Sequence, residues 1–200
     1  MVSKWMSRTG AVLAGMAVAA GVALAAPASA EPGAGASLPV FVPYPSDWSP
    51  DTSVFPYNMW QNRATDEQVT ALRDSCQWFN AQYGTLMASV YGFQNYLRDH
   101  HDVWAASGSD TVGNVVTANL DQSAAFLDPR VHALYITNYP DQSQYSPLYN
   151  GDSFYHLWFQ FTQISDKIKQ QLPSGVINAN IATANVYGNT IRDSGICDGA

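Results

Sequence analysis

Basic residues are scarce in this chain. Lysine and arginine number 9 in 200 residues against 16 acidic ones, and the formal net charge is −7. A nucleic-acid-binding face needs clustered cations to displace counterions. Here Arg63, Arg73, Arg98, Arg130, Lys167, Lys169 and Arg192 are scattered, so no nucleic-acid or anionic-membrane partner is expected. Cysteine is nearly absent, with Cys76 and Cys197 alone. Glutamate occurs only at Glu31 and Glu67. No Gly-x-Ser-x-Gly elbow, Ser-x-x-Lys pair or glycine-rich phosphate loop is present, so the common nucleophile and phosphate chemistries have no carrier. A membrane-spanning helix needs about 20 apolar residues. Beyond residues 11–26, themselves a shorter run, nothing approaches that.

That run belongs to a three-part pattern. Lys4 and Arg8 precede it, and Ala28-Ser29-Ala30 offers a small-x-small cleavage site before Glu31. Residues 1–30 therefore read as a secretory signal peptide, and the protein as secreted or held in the cell envelope. Cleavage removes two positive charges and takes the formal charge from −7 to −9. Export also changes how the cysteines read. In an oxidising compartment Cys76 and Cys197 are expected to pair. The long loop that they close gives a chain-entropy stabilisation of roughly 5 kcal/mol.

Residues 31–64 form an arm rich in proline and large apolar side chains. Pro39, Pro43, Pro45, Pro50 and Pro56 oppose helix and favour extended chain. Three readings are open: a disordered linker, a segment docked on the domain through Phe41, Trp48, Phe55 and Trp60, or an arm for a partner. The density of aromatics favours the docked segment.

Residues 65–200 read as an all-α domain. Thr65-Asp66-Glu67-Gln68 is a capping box. A heptad-like stripe follows through Val69, Leu72, Cys76, Phe79, Tyr83, Leu86, Val90, Phe93, Leu97, His100 and Trp104, predicting one long helix over 66–104. Gly84 and Gly92 inside it are candidate kinks. A second helix starts at Ser109 or Asp110. Asp128-Pro129 predicts a reset into a short helix ending near Asn138. A third helix runs from Asp152 or Ser153 to Pro173, and a fourth from Ile177 to Gly195. The expected fold is an up-down-up-down helical bundle with an extended Pro/aromatic N-terminal arm and one disulfide. That topology puts Cys76 and Cys197 at the same end.

Few residues suggest chemistry. Asp66, Asp110, Asp128 and Asp152 sit at predicted helix starts, where capping explains them. Asp99-His100-His101-Asp102 looks like a metal motif, but adjacent helix positions point about 100° apart. His132 and His156 lie at the bundle's other end, so no metal site and no catalytic residue is assigned. Tyr96 and His100, spaced i, i+4, share a face, and both side chains can ligate haem iron. The plain alternative is that they close the end of the core with their polar tips in water.

The Ala/Gly/Val-rich leader and small acidic helical body resemble exported proteins of high-GC actinobacteria, mycobacteria among them. The resemblance implies a location and transfers no functional residue. The expected function is non-enzymatic binding of a protein, glycan or apolar small molecule outside the cytoplasm. Two alternatives stand beside it: a carrier of haem or another flat apolar ligand at Tyr96 and His100, and an Asp-dependent hydrolase.

Overall fold

Thr65 opens the first helix through a reciprocal pair of hydrogen bonds. Its hydroxyl accepts from the Gln68 N–H at 3.2 Å, and Gln68 Oε1 accepts from the Thr65 N–H at 3.0 Å. The same glutamine donates from Nε2 to the Ala133 carbonyl, tying this start to a neighbouring helix end. The computed structural model describes residues 35–50, 65–105, 108–135 and 151–200. The expected signal peptide, Phe55 and Trp60 of the arm, and most of the 139–151 connection lie outside the described residues.

The capped helix α1 spans Asp66–Trp78 and runs through a π-turn, Phe79–Tyr83, into α2, Gly84–Asp99. The backbone stays right-handed helical at both joins, so the three pieces make one rod. The irregularity falls just before Gly84. α3 spans Ser109–Leu134, α4 Gly151–Lys169 and α5 Ser174–Asp193. α3 packs on α4, α4 on α5, and the first rod on both α3 and α5, which closes a four-rod bundle. No strand occurs among the described residues. Leu72, Leu86, Val90, Phe93 and Leu97 from the first rod meet Val116, Leu120, Phe161, Ile164 and Ile181, all fully buried.

Three boundaries differ from the sequence reading. The first rod ends at Asp99, not 104. His101 and Asp102 turn the chain with φ of 57° and 59°. Asp102 then uses its carboxylate to accept from the Ser174 N–H at 2.8 Å, capping α5, whose own N-cap residue is Pro173. Trp104 is still buried, but on the returning chain. Second, Pro129 does not reset α3; the helix runs through it and ends at Leu134. A proline inside a helix removes a donor and pushes on the preceding turn. Just beyond it, Arg130 Nη1 donates to the Phe126 carbonyl at 2.7 Å and its guanidinium is held by Asp74 of α1 at 3.0 Å. Asp128 is accordingly inside a helix rather than at a cap. Third, Gln171, with φ of 54°, ends the third rod before Pro173. Its N–H bonds Ile168 O, and the Leu172 N–H bonds Lys167 O.

Cys76 and Cys197 are joined, with an S–S distance of 2.06 Å across a sequence separation of 121. This places the end of α5 against α1, as an up-down bundle requires.

Tyr83 closes the π-turn. Its ring stacks on Phe79 at 4.4 Å, and its hydroxyl lies over Gly188 of α5. A Cβ at 188 would sit 1.8 Å from that oxygen, so the two rods approach this closely only because the residue is glycine. Among the described residues the hydroxyl has no hydrogen-bond partner. Burial pushes the Tyr83 pKa up from 10.0 to about 12, Arg192 opposes that, and Tyr91 adds to it. The folded state thus holds a proton that the unfolded chain loses first. The associated stability is full below pH 10 and is lost as pH rises toward 12. Urea unfolding should show stability falling over that interval by on the order of 1 kcal/mol per pH unit. Tyr83→Phe should flatten this part of the pH profile while leaving stability at pH 7 close to wild type.

Candidate functional site

The arm segment 35–50 crosses the bundle in a form that its prolines dictate, and the bundle holds it mainly by the backbone. Asn119 of α3 donates to Ala36 O and accepts from Leu38 N–H, both at 2.9 Å. Gln82 of the π-turn and Gln122 of α3 both donate to Pro39 O, at 2.7 and 2.8 Å. Gln77 of α1 accepts from Tyr44 N–H and donates to Tyr44 O, both at 3.1 Å. Four side-chain amides therefore form a ladder that grips main chain at four points. Asn119, Gln82 and Gln77 are all buried, at 3%, 5% and 1% exposure. A buried amide needs partners, and the arm supplies them.

Side chains complete the docking. Phe41 meets Phe126 edge to face at 5.0 Å, and the Arg130 guanidinium covers the Phe126 ring at 3.8 Å. Arg130 is also held by Asp74 at 3.0 Å. Farther along, Tyr44 Oη donates to Ala200 O at 3.1 Å, and Trp48 Nε1 donates to Asp198 O at 2.9 Å. Asn80 Nδ2 reaches Cys197 O at 2.9 Å. The arm therefore lies over the C-terminal tail, and the disulfide fastens that tail to α1.

The docked arm has an outer edge. Phe41 is half-buried and turned to the bundle, while Val40, Val42 and Tyr44 are 73%, 72% and 50% exposed. This alternation is that of an extended strand with one apolar face outward. Among the described residues, no hydrogen bond engages the main chain of Val40, Phe41 or Val42. Trp48 is half-buried like Phe41, and both pack against the core from outside it.

The residues singled out earlier lie elsewhere. Tyr96 and His100 are adjacent, with ring centroids 4.1 Å apart and planes tilted by 31°. His100 Nδ1 lies 2.8 Å from the Tyr96 carbonyl oxygen. The expectation that His100 lies on the core stripe is corrected: it is exposed, because α2 ends one residue before it. Tyr96 is half-buried. His132 and His156 stand at the other end in a ring cluster. His132 meets Trp158 at 5.0 Å, Tyr135 stacks on Tyr155 at 4.0 Å, and His156 stacks on Tyr187 at 4.9 Å. Among the described residues no group of His, Cys, Asp and Glu is placed to hold a metal. Several aspartates have structural partners: Asp74 takes Arg130, Asp102 caps α5, and Asp121 accepts from Ser165 at 2.6 Å and pairs with Lys169 at 2.8 Å.

The amide ladder is the feature that sequence reasoning passed over. Its signal was faint. Asn119 and Gln122 are spaced i, i+3 on one face of α3. Gln77 and Gln82 are five apart, a spacing brought toward one face only by the wider π-turn between them.

No protein-family model, curated protein or solved structure matches this chain.

Amide hydrogen exchange checks the docking. Leu38 and Tyr44 should be protected, while Val40, Phe41 and Val42 exchange fast. Gln77→Ala should remove protection at Tyr44, with the bundle's core amides unchanged.

Proposed function

We propose that this protein is exported and acts by binding without catalysis, and that the outer edge of the docked arm, Val40–Tyr44, is its recognition element. One observation carries the reading: the side chains of Val40, Val42 and Tyr44 are exposed and the main chain of Val40–Val42 makes no hydrogen bond among the described residues, while the amide ladder fixes the backbone on either side of it. Such an edge recruits another extended chain, whose main chain pairs with Val40–Val42 and whose apolar side chains cover Val42 and Tyr44. A partner of this kind is an extended, largely apolar polypeptide segment. The negative charge of the chain favours basic flanks on it. Holding the edge in place before binding removes part of the ordering cost that a loose arm would incur.

The leader grammar and the disulfide support an extracellular or envelope setting. None of the described helices is long and apolar enough to cross a membrane.

Two measurements test the reading. Mass spectrometry of the protein from culture medium should give a chain beginning at Glu31; an uncleaved chain confined to the cytoplasm overturns export. Pull-down from envelope extracts should then compare wild type with Val42→Lys, checked by hydrogen exchange to retain protection at Leu38 and Tyr44. Burying Val42 is worth about 1.5 kcal/mol or more, so retention should fall by about tenfold or more. Val42→Pro, which deletes one edge donor, should weaken it as well. Equal partner recovery by all three proteins removes the edge as the site.

A further inference from the structure

The arm is held at two separate places, and the disulfide bears on one of them. Residues 36–39 are gripped by Asn119 and Gln122 of α3 and by Gln82 of the π-turn. The rings of Tyr44 and Trp48 rest instead on the C-terminal tail. Tyr44 Oη donates to Ala200 O, Trp48 Nε1 donates to Asp198 O, and the Trp48 ring lies beside Gly199. The tail follows α5 and folds on itself in short turns, Gly195 N–H to Arg192 O and Asp198 N–H to Gly195 O. It is held down by the buried side chain of Ile196, by Asn80 Nδ2 donating to Cys197 O, and by the bond from Cys197 to Cys76. Both cysteines are buried. A thiol reaches such a bond only when its cover lifts. Gln77 keeps the Tyr44 main chain on α1, so lifting the tail breaks its hydrogen bonds to the Tyr44 and Trp48 rings.

From this we infer that arm, tail and disulfide form a reciprocal, redox-sensitive strap. With the arm seated, Tyr44 and Trp48 hold the tail down and shield the bond from thiols. With the bond reduced, the tail is freed, and the arm lifts from the Tyr44 ring onward while residues 36–39 stay seated. The reductant is an external dithiol. One of its sulfurs, as thiolate, attacks Cys197 Sγ, and Cys76 leaves as a thiolate that takes up a proton. The second thiol attacks the mixed disulfide and releases Cys197. The dithiol ends as a disulfide, and two electrons and two protons have passed to the two cysteines. The core beneath survives, because Leu86, Phe93, Leu120 and Ile164 are buried by helix packing rather than by the tail. The coupling runs both ways: loosening the arm raises the population open to attack, and reduction loosens the arm. As a control of recognition the strap rests on the arm being the binding element; as a coupling it rests on these contacts alone.

The test adds excess dithiothreitol to the purified disulfide-bonded protein and follows the appearance of thiols by alkylation and mass spectrometry. Trp48→Ala should be reduced about fivefold or more faster than wild type. Tyr44→Phe, which removes only the bond to Ala200, should be reduced about twofold or more faster. Val42→Lys alters the recognition edge and none of these contacts, so it should be reduced at the wild-type rate, and failure of the edge is told apart from failure of the strap. In the reduced wild type the Trp48 indole N–H should exchange fast, while the Leu38 amide and the core amides of α2 stay protected. Cys197→Ser should show the same pattern with no reductant present. The strap is overturned if Trp48→Ala is reduced at the wild-type rate, if the reduced protein keeps its Trp48 indole protected, or if reduction strips Leu38 and the core of protection together.

Discussion

The buried amides of the first rod and α3 are the constraint on which the arm's placement depends. Gln77, Gln82 and Asn119 lie out of water, and a buried amide without partners costs about 2–7 kcal/mol relative to its hydrated state. The helices cannot satisfy these side chains, since helical carbonyls and N–H groups are already paired with one another. An extended chain with free carbonyls and N–H groups can. The bundle therefore presents a face that is complete only when segment 35–50 lies on it. The arm in turn owes its order to that face, because a proline-broken segment of this length has no regular secondary structure to hold it.

The tail extends this dependence. Cys197 is bonded to Cys76 on α1, one residue before Gln77. The residues after it receive hydrogen bonds from Tyr44 and Trp48 of the arm and from Asn80 of the π-turn. The N-terminal arm, the C-terminal tail and the first rod thus meet within a few residues of one covalent link. This convergence also explains the unbroken burial from Ser75 to Phe79. An ordinary bundle helix is covered on one side, whereas this stretch is covered by the bundle and by the arm with its tail.

Much of the fold was legible in the sequence. The three- and four-residue spacing from Leu72 to Leu97 marks a core stripe, Thr65 to Gln68 marks a helix start, and the predicted topology brings Cys76 to Cys197. What escaped prediction depends on residues distant in sequence. Pro129 reads locally as a stop, yet the helix runs through it to Leu134, with Arg130 just beyond it held by Asp74 of α1. His100 continues the apolar spacing, yet the helix ends before it, and Asp102 just beyond is turned to cap a helix more than seventy residues away. The amides of the candidate site were least visible. Glutamine and asparagine on a helix ordinarily read as solvent-facing, and nothing in their own neighbourhood announces that another segment will cover them.

The ladder has a consequence for how this protein tolerates change. It engages the N–H groups of Leu38 and Tyr44 and the carbonyls of Ala36, Pro39 and Tyr44. The prolines of the segment, Pro39, Pro43, Pro45 and Pro50, fall on none of the positions where a donor is needed. Their carbonyls remain available, and Pro39 accepts two hydrogen bonds. Because the grip ignores most side chains, the outward positions 40 and 42 are free to vary without disturbing how the segment is seated. Attachment and surface chemistry are thereby separated: one stretch of backbone is held fixed while the face that it shows can diversify.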